Sequence, residues 1–209
     1  MQTFKAIKQN VSAEIIEKKS KFIAHIFYVE TAEEADKYIK QIKKKYNDAR
    51  HNCFAYAIET CDGGIAVKYN DDGEPQGTAG APILKLVLEK GLSNILVVVT
   101  RYFGGILLGT GGLVRAYTCA TEEALQKTEI ISKARGYEAK IEVEYNYLEP
   151  LKYYLEKMNI KIIEIQYLEK INIIIEILEE LSQEIENNYN NKNFKIEKYD
   201  IIKEKFVEI

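Results

Sequence analysis

Eleven of the twelve glycines in this 209-residue chain lie between Gly63 and Gly112, the last is Gly136, and none follows it. Glycine supplies the turns and close backbone approaches that other residues resist. A chain that concentrates it in this way confines its turn-rich architecture to one region and builds the remainder from regular elements. After Gly136 the composition shifts to Ile, Glu, Lys, Tyr and Asn. The shift places a boundary near Lys133–Gly136 and predicts two domains, 1–135 and 136–209, a division that the length accommodates. Charge divides similarly: 19 Lys and Arg face 16 Asp and Glu in residues 1–135, and 10 face 16 in the rest. Neither part has the basic balance of a nucleic-acid-coating domain, so any RNA contact must use a local patch.

The second part reads as β-α-β-β-α-β, the ferredoxin-like order. Residues 139–145 alternate as a strand and 147–159 carry leucines at helical spacing. Strands follow over 160–168 and 172–178, then a polar helix over 179–191 and an extended segment over 194–207. In the first part, residues 3–28 suggest two or three strands broken near Asn10 and Lys18–Ser20. Thr31 is positioned to cap a helix over 32–46, with Glu34 three residues on. Residues 52–59 and 64–69 read as a strand pair around Cys61-Asp62-Gly63. Helices are predicted over 79–90 and 110–128. The fully apolar run 94–100 suits the centre of a sheet. The whole chain is thus α+β, without an internal repeat.

No run of about 18 apolar residues is present, and the N-terminus lacks the apolar core of a secretory signal. A cytoplasmic protein without a membrane partner is therefore expected. Cys53, Cys61 and Cys119 form no close pair, which argues against a disulfide framework. Cys53 and Cys119 lie in apolar stretches and read as buried thiols. His51 and Cys53 share a strand face, but no acidic residue is evident to orient a base, and no zinc-like spacing exists.

The residues with the most chemistry lie between Asn70 and Arg115. Asp71, Asp72 and Glu74 sit in a turn-rich segment and are weak candidates for a hard cation, although the spacing matches no calcium loop. Thr78 could cap the following helix, whose N-terminus would favour anions. Next comes Arg101-Tyr102-Phe103-Gly104-Gly105, and then Gly109-Thr110-Gly111-Gly112 leading to Arg115. Gly104 and Gly109 have the spacing of a phosphate loop, but Thr110 stands where a lysine is required. Val114 replaces the last glycine of a dinucleotide fingerprint. No cofactor is expected. What remains is a glycine-dense loop between two arginines suited to phosphates or carboxylates, with aromatic residues able to stack on unpaired bases. Close packing of the glycines and aromatics is the equal alternative. Arg50 and His51, beside Lys43-Lys44-Lys45, and Lys18, Lys19 and Lys21 add basic character.

The blocks Asp71–Gly80 and Val98–Tyr117 resemble the hallmark of the IMPACT family (YigZ type), and Lys18–Ala24 and Ala49–Tyr56 are similar to its earlier blocks. The resemblance covers residues 1 to about 130. It implies an N-terminal domain like the second domain of a small-subunit ribosomal protein, a fold also found in domain IV of elongation factor G. It also implies a ferredoxin-like C-terminal domain. Eukaryotic members regulate translation through protein partners but carry an additional RWD domain, so that partner binding is not carried over. No catalytic residues are implied.

The first expectation is accordingly a translation-associated binding protein that contacts RNA or the ribosome through Arg101, Tyr102, Gly104, Gly105, Gly109–Gly112 and Arg115, with Arg50, His51 and Thr78. One alternative is an enzyme that clamps a small phosphorylated or carboxylated ligand with a metal at Asp71, Asp72 and Glu74. The other is a protein-interaction module with an exposed apolar patch, for instance on the C-terminal sheet. The sequence does not decide the oligomeric state.

Overall fold

A computed structural model describes residues 3–60, 63–187 and 193–209. The turn at Cys61-Asp62 and the predicted helical residues 188–191 lie outside this set. The chain divides into two compact units, Phe4–Ile131 and Ser132–Ile209 with Thr3.

The first unit runs β1 (Thr3–Ile7), β2 (Val11–Glu17), β3 (Ser20–Tyr28), α1 (Ala32–Lys45), β4 (His51–Glu59), β5 (Ile65–Asn70), α2 (Gly80–Glu89), β6 (Ile95–Tyr102) and α3 (Thr110–Leu125). Five strands form a sheet in the order β2-β3-β6-β4-β5, with each neighbouring pair antiparallel. The apolar run becomes β6, the central strand, because only a strand covered on both faces has no need of polar alternation. On one face Phe22, Ala24, Ile26, Cys53, Ala55, Ala57, Val97 and Val99 pack with Ile83 and Val87 of α2 and Leu113, Tyr117 and Ala120 of α3. On the other, Phe54, Tyr56, Ile58, Leu96 and Val98 meet Ala35, Ile39 and Ile42 of α1. Each fully buried branched side chain contributes about 1.5–3 kcal/mol. The start of α1 is as its sequence predicts: Thr31 Oγ1 accepts the Glu34 N–H at 3.1 Å, and the Glu34 carboxylate accepts the Glu30 N–H at 3.0 Å.

The second unit comprises β7 (Ile130–Val143), a 3-10 turn at Tyr145–Tyr147, α4 (Leu148–Lys157), β8 (Lys161–Tyr167), β9 (Ile171–Leu178), α5 (Glu179–Asn187) and β10 (Ile196–Glu208). Its strands lie in the order β10-β7-β9-β8, all antiparallel, which is the ferredoxin-like sheet. Ile141, Val143, Ile171, Ile173 and Ile175 pack on Leu151 and Leu155 of α4 and Ile185 of α5. β7 begins nine residues earlier than its alternation at 139–145 suggests. Gly136 lies inside this strand. A side chain there would overlap the Ile177 carbonyl and Val207, so the glycine serves strand packing. The face of the sheet away from the helices carries ion pairs, among them Lys203–Glu138, Lys161–Glu176, Lys205–Glu176 and Lys140–Asp200. The apolar docking face suggested for this sheet is therefore a charged one.

Candidate functional site

Sequence-distant blocks meet at one end of the N-terminal sheet. Register sets Lys21 opposite Tyr102 and Arg101 between Phe22 and His51. The β2–β3 hairpin turns at Lys18 and Lys19, both with positive φ (45° and 67°), as a two-residue turn compatible with strand twist requires. The loop after β6 starts beside that turn. Gly104 N–H donates to Ser20 Oγ at 3.2 Å, and a Cβ on Gly104 would collide with the Lys19 backbone.

The acidic segment joins the same end by folding onto the protein's own groups. Asp71 Oδ1 accepts the N–H groups of Ala79 (3.0 Å) and Gly80 (2.8 Å), and its Oδ2 accepts that of Gly77 (2.8 Å). It thus satisfies the N-terminus of α2 from nine residues upstream, the part expected of Thr78. Thr78 instead donates its hydroxyl to the Pro75 carbonyl at 2.6 Å. Asp72 Oδ2 accepts the Asn52 N–H and its Oδ1 pairs with Lys43, both at 2.7 Å. His51 Nδ1–H donates to the Asp72 carbonyl at 2.9 Å, which sets the ring's tautomer. Glu74 is buried, and its Oε1 accepts from Arg101 Nη1 at 2.7 Å and from the Tyr117 hydroxyl at 2.8 Å. The three carboxylates proposed for a cation are thus occupied by internal donors. Among the described residues no group of His, Cys, Asp or Glu is arranged to hold a metal ion.

Arg101 likewise departs from its expected role. It is 5% exposed, with its guanidinium carbon 5.4 Å from the Phe22 ring centre and 5.6 Å from that of Phe103. It holds the loop from beneath and presents nothing to an external anion. Tyr102 donates its hydroxyl to Asp48 at 2.7 Å, and that bond is the main reason its pKa rises to about 12. Cys53 is fully buried, with its sulfur 3.0 Å from the Asp71 carbonyl and 3.3 Å from the Tyr117 hydroxyl. Burial pushes its thiol up to about 12 and also raises Tyr117 well above the ordinary tyrosine value, so neither is poised to ionise. Cys119, read as buried from its apolar neighbours, is exposed on α3.

The outer surface of this end has a different character. Lys18, Lys19, Arg50 and Arg115 are exposed and form no ion pair among the described residues. Beside them Gly105, Gly109, Thr110 and Gly111 are exposed, and Gly112 is half-buried against Leu108. Phe103 and Ile106 are also exposed, with Ile16 at 70% and Leu107 at 83%. The sequence reading missed Ile16, Ile106 and Leu107. The available signal was an apolar pair inside a glycine-rich turn and an apolar residue next to a lysine hairpin. The arrangement presents unpaired cations around protruding apolar side chains, with Asp71, Asp72 and Glu74 turned inward and Glu17 and Asp48 exposed nearby.

Residues 18–125 match the model of the Impact N-terminal domain, and residues 141–188 match a domain of unknown function (DUF1949). IMPACT family member YvyE of Bacillus subtilis is 37% identical over 82% of this chain and 78% of its own length. The chain belongs to the IMPACT family. The Escherichia coli IMPACT family member YigZ is 37% identical over 72% of this chain and 74% of its own length. A crystal structure described only as that of a hypothetical protein superposes with a TM-score of 0.65 at 29% identity, covering 97% of this chain and 98% of the other. The IMPACT blocks at Lys18, Arg50, Asp71 and Arg101 are thus the parts that converge on one end of the N-terminal sheet.

Proposed function

We propose that this protein is a translation-associated binding protein whose N-terminal unit contacts ribosomal RNA with the end of the sheet formed by the β2–β3 turn and the loop from Phe103 to Arg115. The observation that carries the reading is that the acidic segment at that end is neutralised internally and the cations are not. Asp71, Asp72 and Glu74 are consumed by internal donors, while Lys18, Lys19, Arg50 and Arg115 remain exposed and unpaired. Cations in this state neutralise phosphates, and Phe103 offers an open ring to an unpaired base. The resemblance to translation regulators of the IMPACT family supports the same direction.

Co-sedimentation with ribosomes across a salt series tests it. Binding should fall steeply with salt, and Lys18→Ala/Lys19→Ala/Arg115→Ala should reduce it at every salt concentration and flatten the slope. Phe103→Ala should weaken binding without changing the slope. Binding that is absent at low salt, or indifferent to the triple variant, overturns the proposal. Arg101 is unsuited to this test, since its substitution removes the support of the loop.

A further inference from the structure

The free edge of the N-terminal sheet carries a pattern that the RNA reading does not use. Among the described residues β5 pairs only with β4 within the sheet, and all six of its residues are exposed. Register places Ile65, Val67 and Tyr69 opposite Glu59, Ala57 and Ala55, so these three form one row on the α2 and α3 face. They are about half exposed, at 47%, 47% and 50%. Ala66, Lys68 and Asn70 form the opposite row, where Lys68 lies 3.8 Å from Asp36 of α1. A long apolar edge in a soluble chain is usually blunted by charge, proline or a bulge. Here Lys68 is the one charge on the strand, and it points away from the apolar row.

We infer that this edge pairs with the β5 edge of a second copy, antiparallel about a twofold axis through Val67, joining two five-stranded sheets into one. A twofold normal to the sheet preserves its faces, so only residues of the same row can stand opposite one another. Two central registers satisfy this condition. Centring on Lys68 sets Lys68 against Lys68, a like-charge pair that disfavours association. Centring on Val67 sets Val67 against Val67, Ile65 against Tyr69 of the copy, and Lys68 against Ala66 of the copy. Those are β-branched and aromatic–aliphatic pairs of the kind that stabilise antiparallel ladders. The lysine meets a small side chain and keeps its Asp36 neighbour. Charge selects the register, and the register makes the edge self-complementary, as an isologous interface requires.

Sedimentation equilibrium of the full chain, from low micromolar to near-millimolar concentration, tests the pairing. The expected result is a concentration-dependent dimer that Val67→Lys weakens by roughly tenfold or more, because two ammonium groups then face each other at the axis. Val67 is half exposed, so unchanged circular dichroism will show that the variant is folded. A second readout fixes the register. In a Cys61→Ser/Cys119→Ser background, Val67→Cys should form an intermolecular disulfide under mild oxidation, since the paired Cα atoms stand about 4.5–5.5 Å apart. Ile65→Cys, two positions from the axis, should not. A chain that stays monomeric throughout overturns the inference. So does a dimer that ignores Val67→Lys, or one that cross-links equally through position 65. A monomer that instead captures an extended peptide along β5 also refutes it.

Discussion

Replacing Arg101 with methionine should cost the N-terminal unit about 3–5 kcal/mol, the usual effect of removing one partner from a buried ion pair. Arg101 and Glu74 have side-chain exposures of 6% and 3%, so neither charge can regain water when the other is lost. The Glu74 carboxylate would keep only the Tyr117 hydroxyl, and the stacking of the guanidinium on Phe22 and Phe103 would disappear. Glu74→Met should be similarly costly because it strands the arginine, whose Nε already lacks a partner. The double variant removes both charges together and should be less destabilised than the sum of the singles by roughly 2–3 kcal/mol. Calorimetry of the full chain should show the transition of the N-terminal unit falling by roughly 10–20 °C in either single variant and recovering in part in the double. Additivity within about 0.5 kcal/mol, or a single-variant cost below about 1 kcal/mol, would show that the pair does not anchor the loop.

Three further outcomes follow from the same geometry. Gly104→Ala should destabilise by about 1–3 kcal/mol or more because its methyl group meets the Lys19 backbone, whereas Gly111→Ala meets nothing within 4 Å and should stabilise α3 by about 0.5–1 kcal/mol; thermal melts of the two variants distinguish these signs. His25, held at about 4 mainly by burial and secondarily by Lys45, stays neutral in the fold, so its contribution is complete above its unfolded value near 6.5 and is lost as pH falls toward 4. After allowance for solvent at its open edge the loss is roughly 1–2 kcal/mol, and urea titrations of wild type and His25→Phe across that window should converge or cross accordingly. Iodoacetamide at pH 8 should modify exposed Cys119 in the native protein and reach Cys53 only on unfolding, as read by peptide mass mapping.

The fold was legible because its signals are periodic and local. The run 94–100, apolar from Ile95 to Val99, becomes the central strand, and the strands read over 160–168 and 172–178 become the β8–β9 hairpin. Thr31 caps its helix through the residue three positions on. The site was harder to read because its logic depends on non-local partners. Asp71, Asp72 and Glu74 look like free acids in sequence, but their donors come from α2, β4, α1, β6 and α3. Arg101 follows an apolar strand and reads as a strand-end cation, yet its acidic partner is 27 positions away, so its inward orientation carries no local mark. Cys119 was misjudged for a related reason. Apolar neighbours in sequence do not share a face on a helix, and its side of α3 is the outer one.

The fastening of Gly104 gives the glycine-rich segment two unlike halves. Phe103 sits on the fixed half, with its ring lying against Arg101 and the next residue tied to Ser20. Leu107 sits in the half that spans from Gly105 to Gly109, with its side chain almost fully in solvent. In the contact proposed above, a partner would meet Phe103 as a fixed surface and Leu107 on a segment bounded by two glycines of positive φ, 84° and 73°.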